Sequence, residues 1–333
     1  MSARARLTAL AARGLQRAGL LGPMTAVACR ARRQPAFQVL AYHRVNDEGD
    51  PFFPAVPTAV FEAHMAWVSR HFVVLTVEAL AERLGRGTLP RNALAITFDD
   101  GYRDNLTHAA PILARYGLPA TVFLTTGFIG GAEVPWFDRL ALAFKQTRLG
   151  SWEAPWGERQ PLGTVAERLA ALDRAYAHLK RQPDADRRAA LDRVVGDLGA
   201  GDPNGTKGRM LSWDDVHALA GLGFSVGAHT VSHPILSRMP PEDARAEIVE
   251  SRRAIASACG LAPRAFAYPN GGADDYDETT VHLVREAGFT CAVTTRFGLN
   301  GPGTSPYELR RGGPWEPDLP TFALKLAAYR LWG

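Results

Sequence analysis

Cysteine is scarce in this chain, with three in 333 residues, at Cys29, Cys259 and Cys291. Their odd number and the absence of CxxC spacing argue against a disulfide framework and favour a reducing compartment. Each thiol reads as a small buried apolar group. Long hydrophobic runs are missing too, since none reaches the ~18–20 residues that would span a bilayer. Neither a repeat period nor a low-complexity tract is present, which sets aside solenoids and arrays. Acidic residues are absent from residues 1–33, which hold seven arginines: Arg4, Arg6, Arg13, Arg17, Arg30, Arg32 and Arg33. The rest of the chain then carries 31 basic against 34 acidic residues, so the overall +4 belongs to the N-terminal arm. A body of that balance does not suit nucleic acid as a partner.

The arm, residues 1–35, reads as helix, with leucines at 7, 10, 15, 20 and 21 among the arginines. Three readings stay open. A secretory signal is opposed by Arg13 and Arg17, which interrupt any apolar core, and no small-residue cleavage site follows. An amphipathic helix on an anionic membrane face is the second. The third is a solvated helix packed on the domain. A cytoplasmic protein, peripheral to the inner face of the membrane through residues 1–33, is the resulting expectation.

The body is 46% hydrophobic by the composition of the whole chain, ample for one large α/β domain with an insertion or for two small domains. Strand-like runs at 39–45, 93–98, 120–125, 224–228, 265–268 and 291–295 alternate with helix-like runs at 60–71, 77–84, 109–116, 213–219, 241–259 and 277–287. Thr76 and the pair Pro240–Pro241 are helix-start signals. Such alternation predicts parallel strands with crossover helices, and functional residues at the strands' carboxyl ends. Residues 126–210 break the rhythm. They hold Trp136, Trp152 and Trp156, a charged helical stretch at 165–198 and a GAGDPNG loop. This is an inserted helical subdomain whose tryptophans either line a sugar cleft or form the insertion's own core.

Ile96 to Asn105, ITFDDGYRDN, is the most informative stretch. An apolar strand delivers two adjacent carboxylates, Asp99 and Asp100. Charges at the end of a buried strand need compensation, and a divalent cation provides it. Downstream, HTVSH places His229 and His233 four positions apart, and Asp plus two His makes a three-ligand catalytic set with open positions. Successive residues at a strand end point in different directions, so one carboxylate can hold a cation while the other faces the attacking water.

ITFDDGY, GAHTVSH and FAYPNG resemble, in that order, the motifs of the polysaccharide deacetylases, the NodB-homology or carbohydrate esterase family 4 enzymes. The resemblance runs over about residues 36–315. It implies a distorted (β/α)7 barrel across 36–333 carrying the insertion of about 126–210; periodicity alone does not separate a barrel from an open sheet. It implies that Asp100, His229 and His233 hold a divalent metal and that Asp99 is the general base. Zinc comes first for N and O ligands, with Co2+, Mn2+ and Fe2+ open. Thr230 stands where the family has Ser or Thr. The third motif implies a turn that aims a backbone N–H near Asn270 at the oxyanion, with Tyr268 walling the sugar pocket; separately, Trp136 of the insertion is a candidate substrate contact. Where the common form has an arginine that orients the base, this chain has Ala267; Arg311 is the candidate replacement and Arg310 the second.

Many members take an acid from a late Leu-x-His motif, and none exists here. Leu40-Ala41-Tyr42-His43-Arg44 resembles the YHRV signature of the poly-N-acetylglucosamine deacetylase branch, which gives His43 the role of acid. His64, His71, His108, His178, His217 and His282 receive none. The implied activity is hydrolysis of the N-acetyl group of an N-acetylhexosamine in a glycan or lipid-linked precursor. A catalytically silent carbohydrate-binding protein, an O-deacetylase and a non-sugar amidase are the alternatives.

Overall fold

A computed structural model describes residues 3–131, 133–199, 208–260, 262–312 and 316–332. The expected GAGDPNG loop, beyond Gly199, lies outside them.

The sheet strands are β1 (Gln38–Tyr42), β2 (Val73–Val74), β3 (Ala93–Phe98), β4 (Thr121–Leu124), β7 (Ser225–Ala228), β8 (Ala265–Ala267) and β9 (Cys291–Val293). All pair in parallel in the order β1-β3-β4-β7-β8-β9, with β2 beside the opening residues of β3. Every residue of β1, β3, β4, β8 and β9 is buried. That is why they read as continuous apolar runs rather than alternating ones. This curled parallel sheet wrapped by helices is the distorted (β/α) barrel expected.

Closure is made by an irregular segment. Leu309 bridges Val293 of β9, and Gly312 N–H donates to the Val39 carbonyl of β1. Of the two residues between them, Arg310 is exposed and Arg311 is buried in the barrel. At the opposite, amino end of the strands, Arg330 of the helix Leu319–Trp332 donates to the carbonyls of Ala36 (3.2 Å), Arg91 (2.8 Å) and Ala93 (2.5 Å). Otherwise unsatisfied backbone oxygens at the barrel's base thus find a buried partner.

The crossover helices lie within a few residues of their expected positions: Thr58–His71, Val77–Gly85, Trp213–Gly221, Pro241–Cys259 and Glu278–Glu286. Helix after β3 starts earlier than expected, as a π-helical turn Asn105–Ala109 leading into Ala110–Arg115. β1 is shorter than expected, because the chain turns away after Tyr42.

Between β4 and β7 come the helix Trp136–Gln146, a hairpin of β5 (Ser151–Glu153) and β6 (Arg159–Pro161), and the helices Val165–Leu179 and Asp184–Asp197. These elements share a hydrophobic core of their own, which contains Trp136 and Trp152 with Trp156 packed against it. Of the two readings of the tryptophans, core describes Trp152 and Trp156, whereas Trp136 also reaches the cleft described next. The N-terminal helices Ala3–Arg17 and Leu21–Ala31 pack on the helix Leu319–Trp332.

Candidate active site

The carboxyl ends of the strands open into a cleft of about 960 Å³. β1 delivers His43, β3 delivers Asp99 and Asp100, β7 delivers His229 and β8 leads to Asn270; the insertion supplies Trp136, and all six line the cleft.

Asp99 and Asp100 are both buried, yet they face different partners. Arg311 grips Asp99 with two bonds, Nη1 to Oδ1 at 2.6 Å and Nη2 to Oδ2 at 2.5 Å. Its Nε donates to the Thr294 carbonyl at 2.9 Å, which fixes the fork. It is Arg311 and not Arg310 that reaches Asp99; Arg310 is exposed, against Gly298. Burial by itself would raise the Asp99 carboxyl, but the Arg311 guanidinium and the nearby His229 and His43 outweigh it. The carboxyl is held well below the usual carboxylate range.

Asp100 has no such partner. Its Oδ1 lies 3.6 Å from Nε2 of His229 and 3.6 Å from Nε2 of His233. This oxygen is buried and accepts no hydrogen bond. Burial first, then the charges of Asp99 and Asp138, drive the Asp100 carboxyl upward. His229 Nδ1 donates to the Ala267 carbonyl, 2.7 Å away. A carbonyl only accepts, so Nδ1 carries the proton and Nε2 presents its lone pair toward Asp100. Burial lowers His229 to about 4, which keeps it neutral. One ligand atom from each of Asp100, His229 and His233 lies within 4.8 Å of the others. An orphaned buried carboxylate oxygen facing two neutral imidazoles fits a divalent cation, with an N,N,O set that zinc accepts.

Backbone conformation marks the same place. Among the described residues, four that are not glycine have positive φ: Asp100 (73°), Thr230 (67°), His233 (57°) and Asn270 (58°). All belong to the three motifs. A β-branched residue such as Thr230 is rarely left-handed, and such strain gathers where geometry is imposed for a purpose. The turn is held from several sides. Thr230 Oγ1 accepts the His233 N–H at 3.1 Å, and Trp136 Nε1 donates to the His233 carbonyl at 3.2 Å. From the helix Pro241–Cys259, Glu247 accepts the N–H groups of Val231 (2.8 Å) and Ser232 (2.9 Å).

His43 sits across the cleft with 49% of its side chain exposed and Nε2 3.9 Å from Asp99 Oδ2. Crowding by the cleft walls lowers its pKa, opposed by the Asp99 charge.

Tyr268 does not wall the pocket, contrary to expectation. Its side chain is fully buried, its hydroxyl donates to the Tyr307 carbonyl at 3.0 Å, and its ring stacks on Tyr276. Residue 268 follows β8, whose last residue Ala267 meets His229 through its carbonyl, and the Tyr268 ring is turned into the core. Asn270, two residues on, faces the cleft.

Several residues were not foreseen. Asp138 of the insertion lines the cleft and takes the Tyr102 hydroxyl at 3.0 Å; burial raises its carboxyl to about 6. Arg44, next to His43, pairs with Asp104 at 3.0 Å, tying β1 to the segment after β3. Asp104 was visible as the third acid of DDGYRD. Asp138, Glu247 and Lys180, which also lines the cleft, carry no local signal, because only tertiary packing brings them there.

Residues 86–292, more than half of the chain, match the polysaccharide deacetylase family model, and the chain belongs to that family. Among curated proteins it is 22% identical over 275 residues to YxkH of Bacillus subtilis, a protein ascribed to the polysaccharide deacetylases. That match covers 82% of this chain and 69% of the other. It is 32% identical over 105 residues to the poly-β-1,6-N-acetyl-D-glucosamine N-deacetylase of Staphylococcus aureus, covering 30% of this chain and 35% of that enzyme. Among solved structures, the Streptococcus pyogenes deacetylase PplD in complex with acetate aligns with a TM-score of 0.61 at 18% identity, over 88% of this chain and 99% of that one. IcaB from Ammonifex degensii aligns at 0.56 with 20% identity, over 89% and 97%. At these identities the structures speak for the shared fold.

Proposed function

We propose that this deacetylase-family protein is a metal-dependent hydrolase that removes the acetyl group from an N-acetylhexosamine unit of a glycan or a lipid-linked glycan precursor. The observation that carries the reading is Asp100 Oδ1, buried, without a donor, and 3.6 Å from Nε2 of both histidines. Asp100, His229 and His233 would hold the cation, zinc by its donor set.

Asp99 is the general base. Its carboxylate stays ionised because Arg311 occupies both oxygens from one side, and the fork fixes its direction. A carboxylate held so far below its usual range takes a proton only from an acidified water. Held by Asp100, His229 and His233, a divalent cation would supply that acidity and the polarisation of the acetyl carbonyl. His43 faces Asp99 from the open side of the cleft, where a leaving amine would collect a proton from its imidazole. In the turn at Asn270, the Gly271 and Gly272 N–H groups are taken by the Pro269 carbonyl and the Asp275 carboxylate, which leaves the N–H of Asn270 itself as the donor where negative charge develops. Trp136 holds the His233 loop through its indole N–H while its ring borders the cleft.

Bound metal and acetate release, measured together on wild type and Asp99→Asn with chitooligosaccharides and a β-1,6-linked N-acetylglucosamine oligomer, test this. Metal in both proteins with acetate from wild type alone is the expected result. Absence of metal under replete conditions would overturn the site and leave a silent carbohydrate-binding protein. Release from O-acetylated glycans only would move the activity to ester bonds.

A further inference from the structure

We infer that the outer face of the N-terminal helix pair docks this protein on an anionic lipid surface. The helix Ala3–Arg17 is packed inside out. Toward the body it buries Ala12 completely, a residue with little to bury. Away from the body it leaves Leu7 68% and Leu10 64% exposed. Residues 7, 10, 11, 14, 17 and 18 recur at spacings of three and four, and all are exposed, so they form one outward face. The second helix, Leu21–Ala31, repeats the arrangement: Leu21, Thr25, Ala28 and Cys29 are buried, while Val27 is 63% exposed. Leu20, in the link, is 46% exposed. Eleven large apolar side chains are exposed among the described residues, and four of them lie within residues 7–27. Scattered exposed leucines need no explanation, but a cluster does.

Charge identifies the partner. Arg6, Arg13, Arg17 and Arg30 are exposed and join no ion pair among the described residues, and residues 1–33 contain no acid to neutralise them. Outward leucines flanked by unpaired arginines suit an interface with hydrocarbon below and phosphate beside it. A second copy of this chain would set arginine against arginine about a two-fold axis. A nucleic acid would take the arginines and leave the leucines wet. No helix among the described residues is long and apolar enough to cross a membrane, so the arm lies on the surface. The inference is independent of the reaction at the cleft.

Co-sedimentation of the full chain with vesicles of phosphatidylcholine, with and without phosphatidylglycerol, tests it. Binding should require phosphatidylglycerol and weaken in high salt. Each of Arg6→Gln, Arg13→Gln and Arg17→Gln should lower vesicle affinity about fivefold. The pair Leu7→Gln and Leu10→Gln should abolish binding while leaving the melting temperature and acetate release from soluble substrate unchanged. Equal binding to neutral vesicles, undiminished binding of the leucine variant, or no binding at all would overturn the proposal. So would a concentration-dependent dimer lost in the leucine variant without any vesicle binding.

Discussion

Asp99 and Arg311 show how much one pair can decide. The guanidinium is fully buried and bidentate, so removing it leaves a carboxylate stranded in the barrel. Arg311→Met should lose about 3–5 kcal/mol of unfolding free energy in urea titrations. Arg311→Lys should keep the charge but lose the fork, lowering kcat more than stability. The pH dependence has a definite sign. Asp99 is depressed in the folded state, so its contribution is whole above the ordinary aspartate value of about 3.9 and is lost as pH falls through the folded value. Acid titration of stability should therefore be shallower in Arg311→Met than in wild type. This pair was partly legible in the sequence. Ala267 left an orienting cation unassigned, and two adjacent arginines were available. Choosing between them required the irregular segment that closes the barrel, whose pairing leaves no periodic trace.

Helices and loops were legible wherever one face was covered and one was wet. The helix Pro241–Cys259 was plain from its prolines and stripe, but its contribution to the cleft was not. Glu247→Ala removes the acceptor of two N–H groups in the turn that ends at His233. Zinc affinity by calorimetry should fall by about 10–100-fold with little change in melting temperature. Residues 319–332 gave no stripe, because that helix is covered by residues 3–31 and by the helix Thr58–His71. His64 is the seam between them. Its ring stacks on Phe322 at 3.8 Å, and burial lowers it to about 4. A depressed histidine means that the unfolded chain binds the extra proton first. Stability should then fall as pH drops from about 6.5 to about 4, by on the order of 3 kcal/mol. His64→Gln should flatten that part of the stability profile measured by denaturant titration at successive pH values.

For the molecule as a whole, the proposed metal site would make metal binding and folding one equilibrium. Zinc at a hundred times its dissociation constant should raise the unfolding free energy by about 2.7 kcal/mol, and a chelator should reverse the shift in melting temperature. Asp100→Ala should abolish the shift while leaving the metal-free protein at least as stable, since a buried carboxylate beside Asp99 is removed. The parallel strands were readable because burial on both faces leaves apolar runs, and each motif follows such a run; their closure into a barrel came from the family resemblance instead. The left-handed backbone was not: Asp100, His233 and Asn270 are residue types that tolerate that conformation without requiring it, and the β-branched Thr230 gives no sign of it. A protein of this fold released from catalysis has no reason to keep four residues with side chains in that conformation. Dihedral angles at these four points therefore offer a way to tell working members of such a lineage from retired ones, even where every side chain in the cleft has been retained.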